Sequence, residues 1–133
     1  MKRTRATTIC IIDDDAVLRA TWRHVLEDAG HKVVEASNGR DGVELVHSCG
    51  ASVAIVDIIM PDQEGLETIR ALMERNPLLS ILAVSGFDQH YLKMAMIFGA
   101  ADCLRKPFLG SELTKRVNQI LERRALLELP EGQ

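Results

Sequence analysis

Long hydrophobic runs, a large excess of one charge and metal-type cysteine spacing are all missing from this chain of 133 residues. No stretch reaches the about 18 consecutive apolar residues of a membrane span, and the start has no signal-peptide hydrophobic region. No membrane association is expected, and the expected compartment is the cytoplasm. A net charge of −3 leaves no chain-wide basic footprint for nucleic acid. The basic start Lys2-Arg3-Thr4-Arg5 is too short to supply one and reads as a solvated tail. The three cysteines, Cys10, Cys49 and Cys103, are odd in number and lack ligand spacing. Cys10 and Cys103 lie inside apolar runs, where a free thiol packs as a small hydrophobe. The four histidines, His24, His31, His47 and His90, are scattered over polar helix positions and turns, which predicts solvated side chains. Linkers, repeats and low-complexity segments are absent too. One domain is therefore expected over residues 7–127, between tails at 1–6 and 128–133.

What the chain does contain is an alternation of short β-branched runs with longer segments of helical period, the pattern of a βα repeat around a parallel sheet. After Asp15, the residues Leu18, Trp22, Val25, Leu26 and Ala29 share one helical face, and Gly30 supplies the stop. A more exposed strand is expected at 31–36. Asn38-Gly39 then opens a helix with Val43, Leu45 and Val46 that ends at Gly50. After a loop with Pro61 and Gly65, a third helix uses Leu66, Ile69, Leu72 and Met73 and stops before Pro77. Asp88 is the expected cap of a fourth helix running to Gly99, and Ser111 precedes a fifth with Leu113, Val117, Ile120 and Leu121. With right-handed crossovers this gives an α/β fold, a doubly wound five-stranded parallel sheet with helices on both faces.

The apolar runs end in chemistry. Thr8-Ile9-Cys10-Ile11-Ile12 runs into Asp13-Asp14-Asp15, Val53-Ala54-Ile55-Val56 ends at Asp57, Ile81-Leu82-Ala83-Val84 ends at Ser85, and Asp102-Cys103-Leu104-Arg105 leads into Lys106-Pro107. Carboxyl ends of parallel strands line one crevice, where ligands bind. Asp13, Asp14, Asp57, Ser85 and Lys106 should therefore converge on an acidic pocket. Crowded carboxylates raise one another's pKa values unless something positive intervenes. Lys106 can neutralise one of them, and Mg²⁺ suits a site of one or two carboxylates completed by waters and phosphate oxygens. Asp57 is the candidate nucleophile, able to form an acyl phosphate. Ser85 offers a hydroxyl to a phosphoryl oxygen, Gly86 lets a backbone N–H approach, and Pro107 constrains the peptide that aims Lys106, a cis bond being one way to do so.

These residues resemble the receiver domains of bacterial two-component response regulators, of the single-domain chemotaxis-regulator kind, over about residues 7–125. The matching segments are Ile11-Ile12-Asp13-Asp14-Asp15-Ala16-Val17-Leu18-Arg19, Val56-Asp57-Ile58-Ile59-Met60-Pro61, Glu64-Gly65-Leu66-Glu67, Ala83-Val84-Ser85-Gly86, Gly99-Ala100-Ala101-Asp102 and Lys106-Pro107-Phe108. The resemblance implies a flavodoxin-like (βα)5 fold with strand order 2-1-3-4-5. It implies phosphorylation of Asp57 by a sensor histidine kinase or a phosphotransfer protein. It also implies Mg²⁺ held by Asp14, Asp57 and the Ile59 carbonyl, with Asp13 acting through water. Such domains catalyse only their own phosphorylation and dephosphorylation. The resemblance further implies that Ser85 and Lys106 are drawn to the phosphoryl oxygens, reshaping the face of the fourth helix, fifth strand and fifth helix for a downstream protein or a second copy. On that face stand Cys103, Tyr91, Met94, Ile97 and Phe98.

Several positions depart from the family pattern. Cys103 replaces a common aromatic switch residue, and Ser85 stands where Thr is commoner. Ile59 and Phe87 put apolar groups beside the pocket, which predicts a long-lived phosphorylated state. The fourth helix is apolar around nearly its whole circumference, which predicts a docking surface with Met94 and Ile97 exposed. A rival reading takes Asp13-Asp14-Asp15-Ala16-Val17 as the start of a haloacid-dehalogenase-type phosphatase, with Asp13 as nucleophile and Asp15 as general acid. That reading needs an acidic pair on a strand beyond Lys106, where the sequence looks helical. A pocket that no longer takes phosphate is a third class, opposed by the complete set of side chains. A stand-alone protein and a fragment of a larger regulator or hybrid kinase are equally consistent with the sequence.

Overall fold

Five strands and five helices alternate along the chain in a computed structural model that describes residues 7–59, 64–86 and 89–128. They are β1 (Thr8–Ile12), α1 (Ala16–Asp28), β2 (Lys32–Ala36), α2 (Gly39–Cys49), β3 (Val53–Asp57), α3 (Glu64–Arg75), β4 (Ser80–Ser85), α4 (Gln89–Ile97), β5 (Asp102–Arg105) and α5 (Gly110–Leu127). The strands form one sheet of order β2-β1-β3-β4-β5, and every pairing is parallel. Parallel sheets are covered on both faces, so their inner strands read as continuous apolar runs. Alternate residues then sort to opposite sides. Cys10, Ile12, Ala54, Val56, Ile81 and Ala83 pack with Val46, Ile69, Leu72, Leu92 and Ala95 on the α2–α3–α4 side. Ile9, Ile11, Val53, Ile55, Leu82 and Val84 pack with Trp22, Leu26, Leu113, Val117 and Ile120 on the α1–α5 side.

Local signals end most helices where expected. Asp15 caps α1, its carboxylate accepting from the N–H groups of Val17 and Leu18. Asn38 caps α2 by accepting from the Asp41 N–H. Gly50 closes α2 at φ +67°, a left-handed conformation that favours glycine. Gly65 serves a different purpose: a Cβ there would lie 2.2 Å from the Ile58 carbonyl oxygen, so only glycine lets the start of α3 press against the backbone that leaves β3.

Three expectations are corrected. His31 is buried rather than solvated, at 5% exposure. Its N–H turns back to the Leu26 carbonyl after Gly30, and neither ring nitrogen finds a hydrogen-bond partner among the described residues. Helix α5 starts at Gly110, so Ser111 lies inside its first turn. There the Glu112 carboxylate accepts from the Leu109 N–H at 3.2 Å. Helix α4 ends at Ile97, which is exposed as expected (76%), but Met94 is half-buried, and Met96 (43% exposed) faces outward in its place. The expected Asp88 cap, Phe87, Met60, Pro61 and both outer tails lie outside the described residues, Glu128 excepted.

Candidate functional site

The sheet order brings the ends of β1 and β3 side by side, with Ile12 opposite Val56, so Asp13 and Asp57 emerge next to each other. Single ligand oxygens of Asp13, Asp14 and Asp57 lie within 4.8 Å of one another. Asp13 and Asp57 are buried and Asp14 is exposed, so the cluster opens to solvent on one side. Across the sheet, Asp57 pairs with Val84, and Ser85, the fully buried last residue of β4, pairs with Arg105. Lys106 follows at once. Its N–H donates to the Ser85 carbonyl at 2.8 Å, and the Lys106–Pro107 peptide is cis. A Cβ on Gly86 would meet Lys106 Cβ at 3.7 Å, an ordinary contact, so packing does not demand glycine there.

The Lys106 ammonium bridges two carboxylates, with Nζ 3.2 Å from Asp13 Oδ2 and 3.3 Å from Asp57 Oδ2. The second oxygen of each acid is held by the backbone. Asp13 Oδ1 accepts from the Asp15 N–H at 2.8 Å, and Asp57 Oδ1 accepts from the Ile59 N–H at 3.1 Å. Burial pushes the Asp57 carboxyl up to about 6; Lys106 opposes that shift and Asp13 adds to it. One ammonium shared between two buried acids leaves the cluster short of positive charge. The donor set is oxygen only, without nitrogen or sulfur, which is the chemistry of a hard divalent cation.

Two neighbours were not singled out from the sequence. Arg19 donates from Nη1 to the Asp13 carbonyl at 2.6 Å and from Nε to Glu35 at 3.0 Å, which ties the acidic loop to β2. Trp22 carries Lys106 Nζ over its ring at 5.2 Å and stacks on Phe108 with centroids 5.3 Å apart. Arg19 and Trp22 follow Asp15 on the first two turns of a helix whose N-terminus abuts the acidic loop, and that spacing was the available signal. The residues assigned to the switch face are not gathered at the pocket. Cys103, Tyr91 and Phe98 pack partly buried against the α2–α3–α4 core, and the Arg70 guanidinium lies 4.9 Å over the Phe98 ring. Burial, and next the Asp102 carboxylate, push the Cys103 thiol upward. The rival phosphatase reading loses its supports: residues 110–127 are helix where it needs a strand, and the Asp15 carboxylate is engaged as the α1 cap.

The family model for the response regulator receiver domain matches residues 9–118. The chemotaxis protein CheY of Thermotoga maritima is 31% identical over 114 residues, which cover 84% of this chain and 95% of that relative. The response regulator MprA of Mycolicibacterium vanbaalenii is 34% identical over 116 residues, covering 86% of this chain. The chain spans only 50% of MprA's length. A CheY-like receiver domain protein from Methanospirillum hungatei shares the fold, with a TM-score of 0.85 at 23% identity over 91% of this chain and 98% of that one.

Proposed function

This chain belongs to the response regulator receiver domain family, and we propose that it is a phosphorylation-operated switch with Asp57 as phosphoacceptor. The donor is a phosphohistidine on a sensor histidine kinase or phosphotransfer protein. An Asp57 carboxylate oxygen attacks phosphorus, the P–N bond breaks, its electron pair leaves with the imidazole, and an acyl phosphate remains. Lys106 balances the charge of the free carboxylates and pairs with the phosphoryl oxygens afterwards, as a mobile point charge can. The Ser85 hydroxyl donates to one of those oxygens. Asp13, Asp14, Asp57 and the Ile59 carbonyl are the groups that would hold Mg²⁺, with Asp13 acting through water. When bound, the ion supplies the positive charge that one lysine cannot.

The observation that carries this reading is the Lys106 ammonium, held 3.2 Å from Asp13 and 3.3 Å from Asp57 at the carboxyl end of a parallel sheet. Output runs through the α4–β5–α5 face to a downstream protein or a second copy of the chain. The outward Met96 and Ile97 support that choice of face. Receiver domains are signalling modules, and the only chemistry proposed here is gain and loss of the phosphoryl group on the chain itself.

Acetyl phosphate with Mg²⁺, followed by intact-mass measurement, tests the assignment. Wild type gains one phosphoryl group, Asp57→Asn gains none, and Asp13→Asn gains it more slowly. Undiminished labelling of Asp57→Asn overturns the reading.

A further inference from the structure

The ammonium of Lys106 has three N–H donors, and among the described residues its hydrogen-bond partners are the Asp13 and Asp57 carboxylates. It also lies over the Trp22 ring, with the centroid 5.2 Å from Nζ. Trp22 is itself fixed. It is buried in the α1–α5 core at 5% exposure, and its ring lies against Phe108 at 5.3 Å with an interplanar angle of 28°. Phe108 stands two residues beyond Lys106, so one indole touches both the loop that carries the lysine and the head group at its tip.

We propose that Trp22 is a positioning residue for Lys106, its indole face holding the ammonium toward the acidic crevice. A lysine stem is flexible, and the Lys106 side chain keeps 20% exposure, which leaves it a route to water. A ring on one flank of the ammonium opposes that departure by attracting the charge through its quadrupole, more strongly where water is excluded. The ring is no acid, so its pull does not depend on what happens to the carboxylates. When a phosphoryl group enters on the Asp57 side, the ammonium exchanges carboxylate oxygens for phosphoryl oxygens while the indole still backs it. The inference rests on the assignment of Asp57 as phosphoacceptor.

Trp22 is the only tryptophan in the chain, so growth on fluorinated tryptophans changes this ring alone. Mono-, di- and trifluorination keep its shape while draining its face of negative charge. Mg²⁺-dependent beryllofluoride affinity, read by titration, is expected to fall stepwise along the series, by about tenfold in total, with the melting temperature nearly constant. A flat series, or a fall that only follows a loss of melting temperature, overturns the proposal while leaving Asp57 in place. If unfluorinated protein fails to bind beryllofluoride, or Asp57→Asn binds it equally well, the phosphoacceptor assignment fails and this inference with it.

Discussion

Asp57→Asn is expected to make the metal-free protein more stable, although it deletes the proposed acceptor. Burial raises the Asp57 carboxyl from 3.8 to about 6 despite the Lys106 ammonium beside it. A shift of about two pH units, at 1.36 kcal/mol each, makes the ionised side chain roughly 3 kcal/mol less favourable in the folded than in the unfolded protein. Asparagine resembles the neutral carboxyl and escapes that penalty. For a domain of this size the gain corresponds to about 10 °C in melting temperature. The sign with pH follows from which state binds the proton more tightly. The folded protein does, so the penalty is full above pH 6, shrinks as pH falls toward 3.8 and vanishes below it. Melting curves of both proteins in EDTA between pH 7.5 and 4.5 should therefore converge at the acid end. Saturating Mg²⁺ at pH 7.5 should narrow the gap as well, by stabilising wild type selectively. If Asp57→Asn melts at or below wild type in EDTA at pH 7.5, or if the gap is constant with pH, burial does not dominate this site.

His31 acts in the opposite direction, since burial lowers its pKa from 6.5 and the unfolded chain takes up the proton first. Stability held above pH 6.5 is thus lost as pH falls through it, by at most about 1.4 kcal/mol per pH unit. His31→Leu should flatten that part of a urea-midpoint profile, and parallel profiles for the two proteins would count against the effect. Ile59 is half-buried beside Asp57, and Ile59→Asn should speed loss of the phosphoryl group by about tenfold or more by giving water a polar guide. An unchanged lifetime by mass spectrometry would remove Ile59 as its cause. Met96→Lys with Ile97→Asp, both at exposed positions, should abolish beryllofluoride-dependent self-association in sedimentation while changing stability by no more than about 0.5 kcal/mol. A dimer of unaltered affinity would place the contact elsewhere.

The acidic pocket was legible because it lies where two simple patterns cross. Strands covered on both faces read as unbroken apolar runs, and a carboxylate, hydroxyl or lysine at the end of each run marks the same edge of the sheet. Asp57 and Lys106 stand out on that basis without any knowledge of their contacts. Gly30 and Gly50 were legible for a local reason, a left-handed backbone closing a helix. Burial created by distant chain was not legible. His31 is a polar residue type in a turn, and nothing near it in sequence shows that it is covered. Trp22 falls on the apolar stripe of α1 like any core residue, and its approach to Lys106 depends on α5 and Phe108 packing against α1. Helix α4 misleads in the other direction. Its all-round apolar character suggested that Met94 points outward with Ile97, whereas Ile97 is joined at the surface by Met96 and Met94 is half-buried.

On the proposed assignment, the stability cost at Asp57 is also what would suit it to attack phosphorus. A carboxylate in water is a weak base and a weak nucleophile, and both properties rise with pKa. Burial alone favours the protonated carboxyl, whose oxygens are far poorer nucleophiles than those of the carboxylate. Lys106 sets the balance. At 3.3 Å it pulls the carboxyl back to about 6, so that at pH 7 most of the population is ionised yet more basic than an exposed aspartate. The setting depends on where the ammonium sits, and two carboxylates alone do not determine that, since Asp13 competes for the same charge at 3.2 Å. A lysine displaced toward Asp13 would leave Asp57 more protonated, and one drawn toward Asp57 would leave it less basic. A fixed ring behind the head group limits both excursions, so the reactivity of an acid on β3 is tuned from α1, an element that contributes no ligand of its own.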